Sequence, residues 1–590
     1  MIVKMKKVTL LLSAKDKEKD LIDLRKQGVL HIHHIKNPVS EDIQFLENEI
    51  DNVHRALRIV AEAEPLKTEI KADEAPAWVE KILALAQKRE ALARELEEHR
   101  ETHKWFDTWG AVSYASLQEL NKAGIFVHFY VAGKSAFKKI DPEKNVQIAK
   151  EEQNAIYFAY FSNSAEDRLE FNEESCPAIE LSELETQITQ VQSEIEKIVQ
   201  ELTEMSGILP ALNDYLVRLQ KRLELSRVRD GMGDMEEIAY MQGFCPIDSV
   251  PALQNLATEN GLAYVIDDPD DPADVPTLTR NPKPIRIIKP LFDFMGTLPG
   301  YSEQDVSFVF LLFFSVFFAI LIGDAGYGLV FLFATMFFAH KKKDAPREPF
   351  FLMYVLSGTT IIWGIITGTW FGAESIARLP FFNVFIIDKI DSFASDNQIF
   401  LMYLTFIIGA IHLSVARALA AAHKIKSPTA IAEIGWIFIL WGLFFVAGNL
   451  VLGKDMPGFT SWLFIVGSAL IAFFANFQKN ILKGILLSLG NLPLDIISSF
   501  SDVVSYLRLF AVGYATVVVA TSFNNMALGN GIGSVVAGIS AALILVLGHS
   551  LNILLGMLAV IVHGVRLNML EFSGQIGMQW SGKPYEPFKE

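Results

Sequence analysis

The chain has 590 residues, of which 51% are hydrophobic and 20% charged, and its formal net charge is −16. It is too apolar for an ordinary soluble protein and too charged to lie wholly in a membrane, so two unlike halves are expected. The negative charge argues against nucleic acid as a partner. The two cysteines, Cys176 and Cys245, give neither a metal-binding spacing nor a disulfide framework, which is typical of a reducing cytoplasm. No metal and no cofactor are expected.

The first half begins with a pattern typical of a small α+β lobe. A strand (VTLLL), a charged helix around Asp16–Gln27 and a second strand (VLHIHHI) follow one another. We interpret His31 and His33 as surface or core histidines, because no cysteine or carboxylate stands at ligand spacing. Strand-rich runs at 124–133 and 155–162 predict a second lobe. Strands near 237–244 and 262–266 are expected to rejoin the first.

Apolar residues at alternating steps of three and four predict coiled-coil helices. The first seam comprises Ile43, Leu46, Ile50, Val53, Leu57 and Val60, and the second comprises Leu181, Leu184, Ile188, Val191, Ile195, Ile198, Leu202 and Met205. Pro65 and Pro76 interrupt the first seam, and Pro210 breaks the second before Leu212, Leu216, Leu219 and Leu223 resume it. Because a β-rich patch separates the seams, a hairpin within the chain is favoured over an ordinary dimeric coiled coil.

The second half contains apolar runs long enough to span a bilayer. Eight are predicted, at about 306–322, 326–340, 350–371, 398–421, 430–452, 459–477, 491–525 and 532–569. Basic residues follow every second run: Lys341, Lys342, Lys343, Arg347, Lys424, Lys426, Lys479 and Lys483. The positive-inside rule places these loops and both termini in the cytoplasm. The expected domains are a cytoplasmic arm (1–266), a proline-rich acidic linker (267–300) and a transmembrane domain (301–590).

The run at 491–525 carries one arginine, Arg508, near its middle. A guanidinium at bilayer depth costs roughly 2.5 to 3.5 kcal/mol, so a membrane arginine is a functional hypothesis by default. Ser498, Ser501 and Ser505 fall within about a quarter turn of its helical face. The alternative is an arginine neutralised inside a helix bundle as a packing feature.

A second arginine, Arg566, lies near the end of the last run, and His563 is three residues before it. On an α-helix Asn552 falls within about 40° of that face, and His549 lies about 100° away. The alternative for Arg566 is an anchor that snorkels to the cytoplasmic surface.

Several motifs now carry a resemblance that covers essentially the whole chain. They are SYLRLFA around Arg508, HGVRLNMLEF around Arg566, LIGDAGYG at 321–328, GIITGTWFG at 364–372, YMQGFCP at 240–246, and the N-terminal KKVTLLL and GVLHIHHI. The chain resembles the membrane stator subunit of the rotary V-type and A-type ATPases, called subunit a or subunit I. It departs from the family at Asp305-Val306-Ser307, where Asp-Pro-Thr is common, and at Leu494, where some members have a carboxylate beside the position of Asp495.

The resemblance implies cytoplasmic α+β lobes at both ends of an antiparallel coiled-coil hairpin, followed by a helical membrane domain with two long tilted final helices. It implies a non-catalytic subunit in which Arg508 faces the carboxylates of a rotor ring and separates two ion half-channels. Ser498, Ser501, Ser505 and either Asp495 or Asp502 are assigned to the cytoplasmic half-channel. Residues that could line or support the paths are Glu433, His549, His563 and Arg566. Polar residues such as His412 either line a path or form interhelical hydrogen bonds.

The implied partners are a ring of proteolipid subunits, peripheral-stalk subunits of the E/G type, the ring-cap subunit of the central stalk, the ATPase head indirectly, and the lipid bilayer of a prokaryotic plasma membrane. The rival interpretation is a secondary ion transporter with a cytoplasmic regulatory arm. The lack of an internal repeat and the long, unbroken final runs oppose it. A purely structural tether explains the coiled coil but not Arg508. Whether the ion is H⁺ or Na⁺, and whether the complex pumps or synthesises, stays open.

Overall fold

The computed structural model describes residues 1–61, 74–235, 237–343, 345–477, 481–529, 531 and 533–589. Pro65, Lys479 and Ile532, which belong to predicted features, lie outside the described residues. The chain divides into two compact units. One comprises Met1–Leu11, Leu24–His33 and Gln242–Lys589, and the other comprises Leu12–Asp23 and His34–Met241.

The N-terminal half alternates strands with helices, two of which are long. Its elements are β1 (Met5–Ser13), α1 (Lys17–Gln27), β2 (His31–His33), α2 (Glu41–Ala61), α3 (Ala75–Trp109), α4 (Tyr114–Lys122), β3 (Phe126–Gly133), α5 (Lys134–Phe137), β4 (Val146–Glu151), β5 (Ala155–Ser162), β6 (Asn172–Glu174), α6 (Leu181–Glu204), α7 (Leu209–Asp230), β7 (Gly233–Met235), β8 (Ile238–Pro246), α8 (Val250–Glu259) and β9 (Ala263–Asp267).

The C-terminal half is mainly helical. Its elements are β10 (Pro276–Thr277), α9 (Lys283–Arg286), α10 (Lys289–Met295), α11 (Ser307–Ile322), α12 (Ala325–Lys341), α13 (Glu348–Thr367), α14 (Glu374–Ala377), α15 (Pro380–Asn383), α16 (Gln398–His423), α17 (Thr429–Leu452), α18 (Thr460–Phe474), α19 (Ile481–Ser505), α20 (Leu507–Leu528), α21 (Val535–Ala559), α22 (Ser573–Ile576) and β11 (Lys583–Pro584). Short elements β10, α9 and α10 occupy the predicted linker, and β10 pairs with β11.

The first lobe forms as predicted. Its strands have the order β2-β8-β1-β9, and β7 pairs with β8. Val8, Leu10 and Leu12 of β1 are buried, as the two-residue period of a strand requires. Strands β8 and β9 are the two runs expected to return to this lobe: β8 pairs antiparallel with β2, and β9 pairs antiparallel with β1.

The coiled-coil seams pack against each other within one chain. A single apolar cluster joins α2, α3, α6 and α7, as the prediction of a hairpin requires. The fifth residue of the predicted first seam, Leu57, is only partly buried in α2. Its neighbour Ala56 is buried instead. A 3₁₀ turn, Met205–Ile208, precedes α7, and Pro210 stands in the first turn of that helix. The break between α6 and α7 therefore falls before Pro210. The first turn of a helix tolerates proline, because the N–H that proline lacks would have no partner within the helix there.

The second lobe is a four-stranded antiparallel sheet of order β4-β5-β3-β6. Strands β3 and β5 were predicted, and they pair over their whole length from Phe126↔Ser162 to Gly133↔Ala155. The sequence analysis missed β4 and β6. Strand β4 is almost wholly exposed, and β6 has only three polar residues, so neither shows apolar alternation.

The described residues contain five helical segments long and apolar enough to cross a membrane, and a sixth if a bent pair is counted as one crossing. The five are Glu348–Thr367, Ser395–His423, Thr429–Leu452, Leu482–Leu528 and Val535–Ile576. The bent pair is α11 with α12, whose axes differ by 119°. Helix α11 has 16 residues and α18 has 15, so each is about 23 Å long against a hydrocarbon core of about 30 Å. The count of eight spans stays a prediction.

Both final segments are long, as expected, but neither is an unbroken α-helix. Helix α19 ends at Ser505 and α20 begins at Leu507. Helix α21 continues into two π-helical stretches, Val560–Gly564 and Leu567–Phe572. The expectation of unbroken final helices was therefore wrong. Since a π-helix pairs residues five apart, angles computed at 3.6 residues per turn do not hold beyond Ala559.

Candidate ion-translocation site

Arg508 lies in the first turn of α20, directly after the interruption at Tyr506. Its side chain is 26% exposed, and its Nη2 donates a hydrogen bond to Oε1 of Glu571 at 3.3 Å. Glu571 is the carboxylate of the HGVRLNMLEF motif, which the sequence analysis quoted without giving this residue a role. The arginine is therefore partly open and partly paired.

Glu571 contacts both arginines of the motifs. Its side chain is 4% exposed, and Oε1 also lies 3.7 Å from Nε of Arg566. Its Oε2 has no hydrogen-bond partner among the described residues. Two guanidinium groups and one carboxylate carry one net positive charge, so this group of three can accept a further carboxylate. Nδ1 of His563 is also buried without a partner in the described chain.

The serine stripe leading to Arg508 lies on one side of α19. Asp495, Ser498 and Ser501 are exposed, and Ser505 is partly buried. Oγ of Ser505 donates to the main-chain carbonyl of Ser501 at 2.8 Å. The exposed face is open to a neighbouring molecule or to lipid.

Asp502 points into a polar chain that crosses the helices. Its Oδ2 accepts a hydrogen bond from Nε2 of Gln575 at 2.6 Å, and Oε1 of Gln575 accepts one from Nε of Arg417 at 2.7 Å. Nη1 of Arg417 donates to Glu433 at 2.9 Å, and Nζ of Lys424 donates to its other carboxylate oxygen at 2.6 Å. Glu433 is thus ion-paired, and three hydrogen bonds link it to Asp502.

Arg417 and Gln575 were not among the residues predicted from the sequence. Arg417 lies inside the predicted span 398–421, so the rule that singled out Arg508 could also have identified it. Gln575 follows the second π-helical stretch, and no sequence pattern marks it.

His549 belongs to a separate polar group. Its Nδ1 shares a hydrogen bond with the hydroxyl of Tyr327 at 2.7 Å, and its Nε2 shares one with Asn524 at 3.1 Å. Nδ2 of Asn552 donates to the Tyr327 hydroxyl at 3.0 Å and to the carbonyl of Thr516 at 2.9 Å. These contacts bring together α12, α20 and α21. They do not include Arg508 or Arg566.

His412 forms an interhelical hydrogen bond, one of the two roles left open for it. Its Nδ1 shares a hydrogen bond with the hydroxyl of Tyr506 at 2.7 Å, and its ring stacks on Phe572 with centroids 4.4 Å apart. This buried contact connects α16 with the interruption that precedes Arg508 and with the π-helical stretch that carries Glu571.

Asp324 joins two of the quoted motifs. Its buried carboxylate accepts hydrogen bonds from the main-chain N–H groups of Gly326 and Tyr327 at the start of α12, at 2.7 and 3.2 Å. It also accepts from Phe371 and Gly372 of the GIITGTWFG motif, at 2.9 and 2.8 Å. Four donors on two segments therefore converge on one side chain, which fixes the bend after α11. The described residues contain no cluster of three or more His, Cys, Asp or Glu side chains that could hold a metal ion.

The chain resembles curated proteins over its full length. It is 32% identical over 621 residues to the V-type ATP synthase subunit I of Borreliella burgdorferi, with all of both chains covered. It is 29% identical over 640 residues to the V-type ATP synthase subunit I 1 of Treponema pallidum, also with complete coverage. It is 25% identical to the A-type ATP synthase subunit I of Methanocaldococcus jannaschii, over 70% of this chain and 64% of the relative.

Two further comparisons add little. No protein-family model matches the chain. A solved structure of the cytoplasmic N-terminal domain of a subunit I, described as a homologue of subunit a of the V-ATPase, aligns with 44% of this chain and 99% of its own at 17% identity. The TM-score of 0.24 is too low to establish a common fold.

The apolar helical spans, with two arginines that share the buried carboxylate of Glu571, define a multi-pass membrane protein with charged groups on its membrane helices. The full-length relatives make the family definite: the chain belongs to the subunit I family of V-type and A-type ATP synthases. It is the ion-translocating stator subunit, and it is not catalytic. The resemblance drawn from the SYLRLFA and HGVRLNMLEF motifs is thereby confirmed.

Proposed function

We propose that Arg508 is the fixed counter-charge for a carboxylate on each subunit of a proteolipid rotor ring. The observation that carries this proposal is the arrangement of Arg508, Glu571 and Arg566, in which two guanidinium groups share one buried carboxylate. A rotor carboxylate crosses lipid in its neutral form. Beside Arg508 its ionised form is favoured, so it releases its proton or Na⁺ to an aqueous path.

Two half-channels then convert ion flow into rotation. The path toward the cytoplasm uses the exposed residues Asp495, Ser498 and Ser501 and the partly buried Ser505, with Asp502 beside them. The group of Tyr327, His549, Asn552 and Asn524 contributes to the opposite path. Arg508 prevents a direct leak between them. Glu433 supports the first path through Arg417 and Gln575.

Arg566 and His563 act beside Arg508. Arg566 is 53% exposed and touches Glu571 with its Nε, so it shares the counter-charge that holds Arg508. His563 presents a buried Nδ1 without a partner in the described chain, which suits a group that meets a transient water or ion. We assign both residues to supporting roles, and only Arg508 to direct contact with the rotor carboxylate.

The proposed topology has eight crossings, in which α11, α12 and α18 each cross once and both termini lie in the cytoplasm. Residues 1–266 form the cytoplasmic arm, 267–300 the linker and 301–590 the membrane domain. Through its lobes the arm binds E/G-type peripheral-stalk subunits and the ring-cap subunit of the central stalk, and it reaches the ATPase head indirectly. The host membrane is a prokaryotic plasma membrane.

ATP-driven ion uptake into vesicles that contain the assembled complex tests the proposal. Arg508→Gln removes the charge, so we expect no uptake from a complex that still contains the proteolipid ring and the ATPase subunits. The matched control is Arg94→Gln, which removes an exposed arginine of α3 and should leave uptake unchanged. Substantial coupled uptake by Arg508→Gln would falsify the assignment.

A further inference from the structure

A groove rich in basic residues lies where the segment before the membrane helices meets the start of α13. It is open, has a volume of about 740 Å³, and has three cations on its wall: Lys283 and Arg286 of α9 and Arg347 directly before α13. Arg286 pairs with Glu348 at 2.9 Å. Lys283 and Arg347 are exposed and have no ion pair among the described residues. Three cations and one carboxylate give this wall a net charge of +2.

An apolar stripe on α13 continues from the groove along the helix. Phe351, Val355 and Ile362 are 53%, 38% and 62% exposed, and steps of four and seven residues place them on one helical face. Gly358 lies on the same face, and a Cβ added there would meet no atom within 4 Å. The opposite face of α13, including Leu352 and Leu356, is buried. The stripe is therefore an exposed apolar face of a membrane-spanning helix.

The combination fits one class of ligand. A phosphodiester needs cations, and guanidinium and ammonium groups supply the hydrogen-bond donors and the charge that bind it. An acyl chain needs an apolar surface that begins beside those cations and continues along the membrane-spanning helix. A soluble anion would use the three cations but would leave Phe351, Val355 and Ile362 uncovered.

We propose that this groove and stripe bind an anionic phospholipid, with its phosphate between Lys283, Arg286 and Arg347 and an acyl chain along Phe351, Val355 and Gly358. This groove does not include Arg508 or Arg566. The lipid is therefore a bound structural ligand and not part of the ion path. It connects α9 with α13, which are also joined by the ion pair of Arg286 and Glu348.

Photocrosslinking of the full-length chain in vesicles tests this. The probes are phosphatidylglycerol and phosphatidylcholine that carry a diazirine on the acyl chain, and mass spectrometry maps the labelled peptides. We expect about tenfold more label on residues 351–362 from phosphatidylglycerol than from phosphatidylcholine, because two uncompensated cations attract the anionic headgroup. Equal labelling by the two lipids overturns the proposal, and this comparison needs no variant.

Two variants locate the headgroup. Lys283→Gln with Arg347→Gln should reduce the preference for phosphatidylglycerol to about that expected from general surface charge. The matched control, Lys426→Gln with Lys483→Gln, removes the same charge from the turn before α17 and from the start of α19, and it should keep the preference. A preference in the first double variant as large as that of the unchanged chain overturns the proposal. Inorganic phosphate is the last arm: if an excess removes the label, the site holds a soluble anion and the lipid assignment is wrong.

Discussion

The guanidinium of Arg508 donates a hydrogen bond to Glu571 across 3.3 Å, although the two residues lie 63 positions apart in the chain. Glu571 is therefore a resident counter-ion for the arginine that we assign to the rotor carboxylate. A visiting carboxylate competes with Glu571 for Arg508, so the strength of the resident pair limits how tightly the visitor is held.

In the variant Glu571→Gln, Arg508 should bind the rotor carboxylate too tightly. The substitution keeps the shape of the side chain but leaves two arginines without their shared negative charge. We expect coupled uptake to fall at least about tenfold, because one lost unit charge changes the local interaction by more than about 1.4 kcal/mol in a partly buried site. The measurement is ATP-driven ion uptake per assembled complex.

Glu571→Asp and Glu374→Gln are the two controls for this variant. Aspartate keeps the charge and should retain a larger share of uptake than glutamine. Glu374 is exposed, and Arg378 is its one ion-pair partner among the described residues, so its replacement should leave uptake unchanged. Normal uptake by Glu571→Gln would show that the pair with Arg508 is only structural.

Lysine should fail at position 508 and be tolerated better at position 566. Lysine is a compact ammonium that can lose its proton when desolvated, whereas guanidinium stays charged and presents a planar fork. Arg508→Lys should therefore nearly abolish uptake. Arg566 is 53% exposed, so a solvated lysine can replace its charge, and Arg566→Lys should retain substantial uptake. The reverse order in the same vesicle assay would exchange the roles of the two arginines.

Asp324→Asn should destabilise the membrane domain. We assign Asp324 a structural role and no direct role in ion flow. The carboxylate satisfies four main-chain N–H groups, and an amide has only one acceptor oxygen. Each buried donor left unsatisfied costs about 1 to 3 kcal/mol. We expect a lower thermal midpoint for the detergent-purified protein. Asp388→Asn, in an exposed turn, is the matched control, and equal midpoints for the two variants would contradict the prediction.

The count of eight crossings is testable with single cysteines in a chain that lacks Cys176 and Cys245. Residues 271 and 343 flank α11 and α12. If each of these helices crosses once, cysteines at both positions react with an impermeant reagent only from the cytoplasmic side. If the bent pair forms a single crossing, the two positions react from opposite sides. A cysteine at Ser395 should react only from outside under the count of eight crossings, and from the same side as residue 271 if the bent pair forms a single crossing.

Deletion of the second lobe should uncouple stalk assembly from membrane insertion. The lobe comprises α4, α5 and β3 to β6, between the end of α3 at Trp109 and the start of α6 at Leu181. Replacing residues 111–179 with a short flexible linker should leave the amount of protein in membranes unchanged. The E/G-type subunits should no longer co-purify. Their normal recovery would exclude this lobe as their docking site.

Periodicity predicted the features that depend on a regular repeat. The heptads located the hairpin, because α2, α6 and α7 follow a regular helical repeat along their seams. The same reasoning missed Glu571. At 3.6 residues per turn it would lie well away from the face of Arg566, whereas π-helical hydrogen bonding brings residues five apart into line. The hydrogen bond from Gln575 to Asp502 could not be predicted from periodicity either, since it joins residues 73 positions apart in the chain.

The π-helical stretches also constrain how the length of the chain can vary. In a π-helix each hydrogen bond joins residues five apart, one more than in an α-helix. Its geometry therefore depends on the number of residues as well as on their identity. Deleting one residue between Leu567 and Phe572 would allow that turn to become α-helical, which would change the angle between Glu571 and Arg566 around the helix axis. Glu571 would then leave Arg508 even if every side chain were kept. In this part of the chain, a one-residue deletion would therefore disrupt the site more than most substitutions.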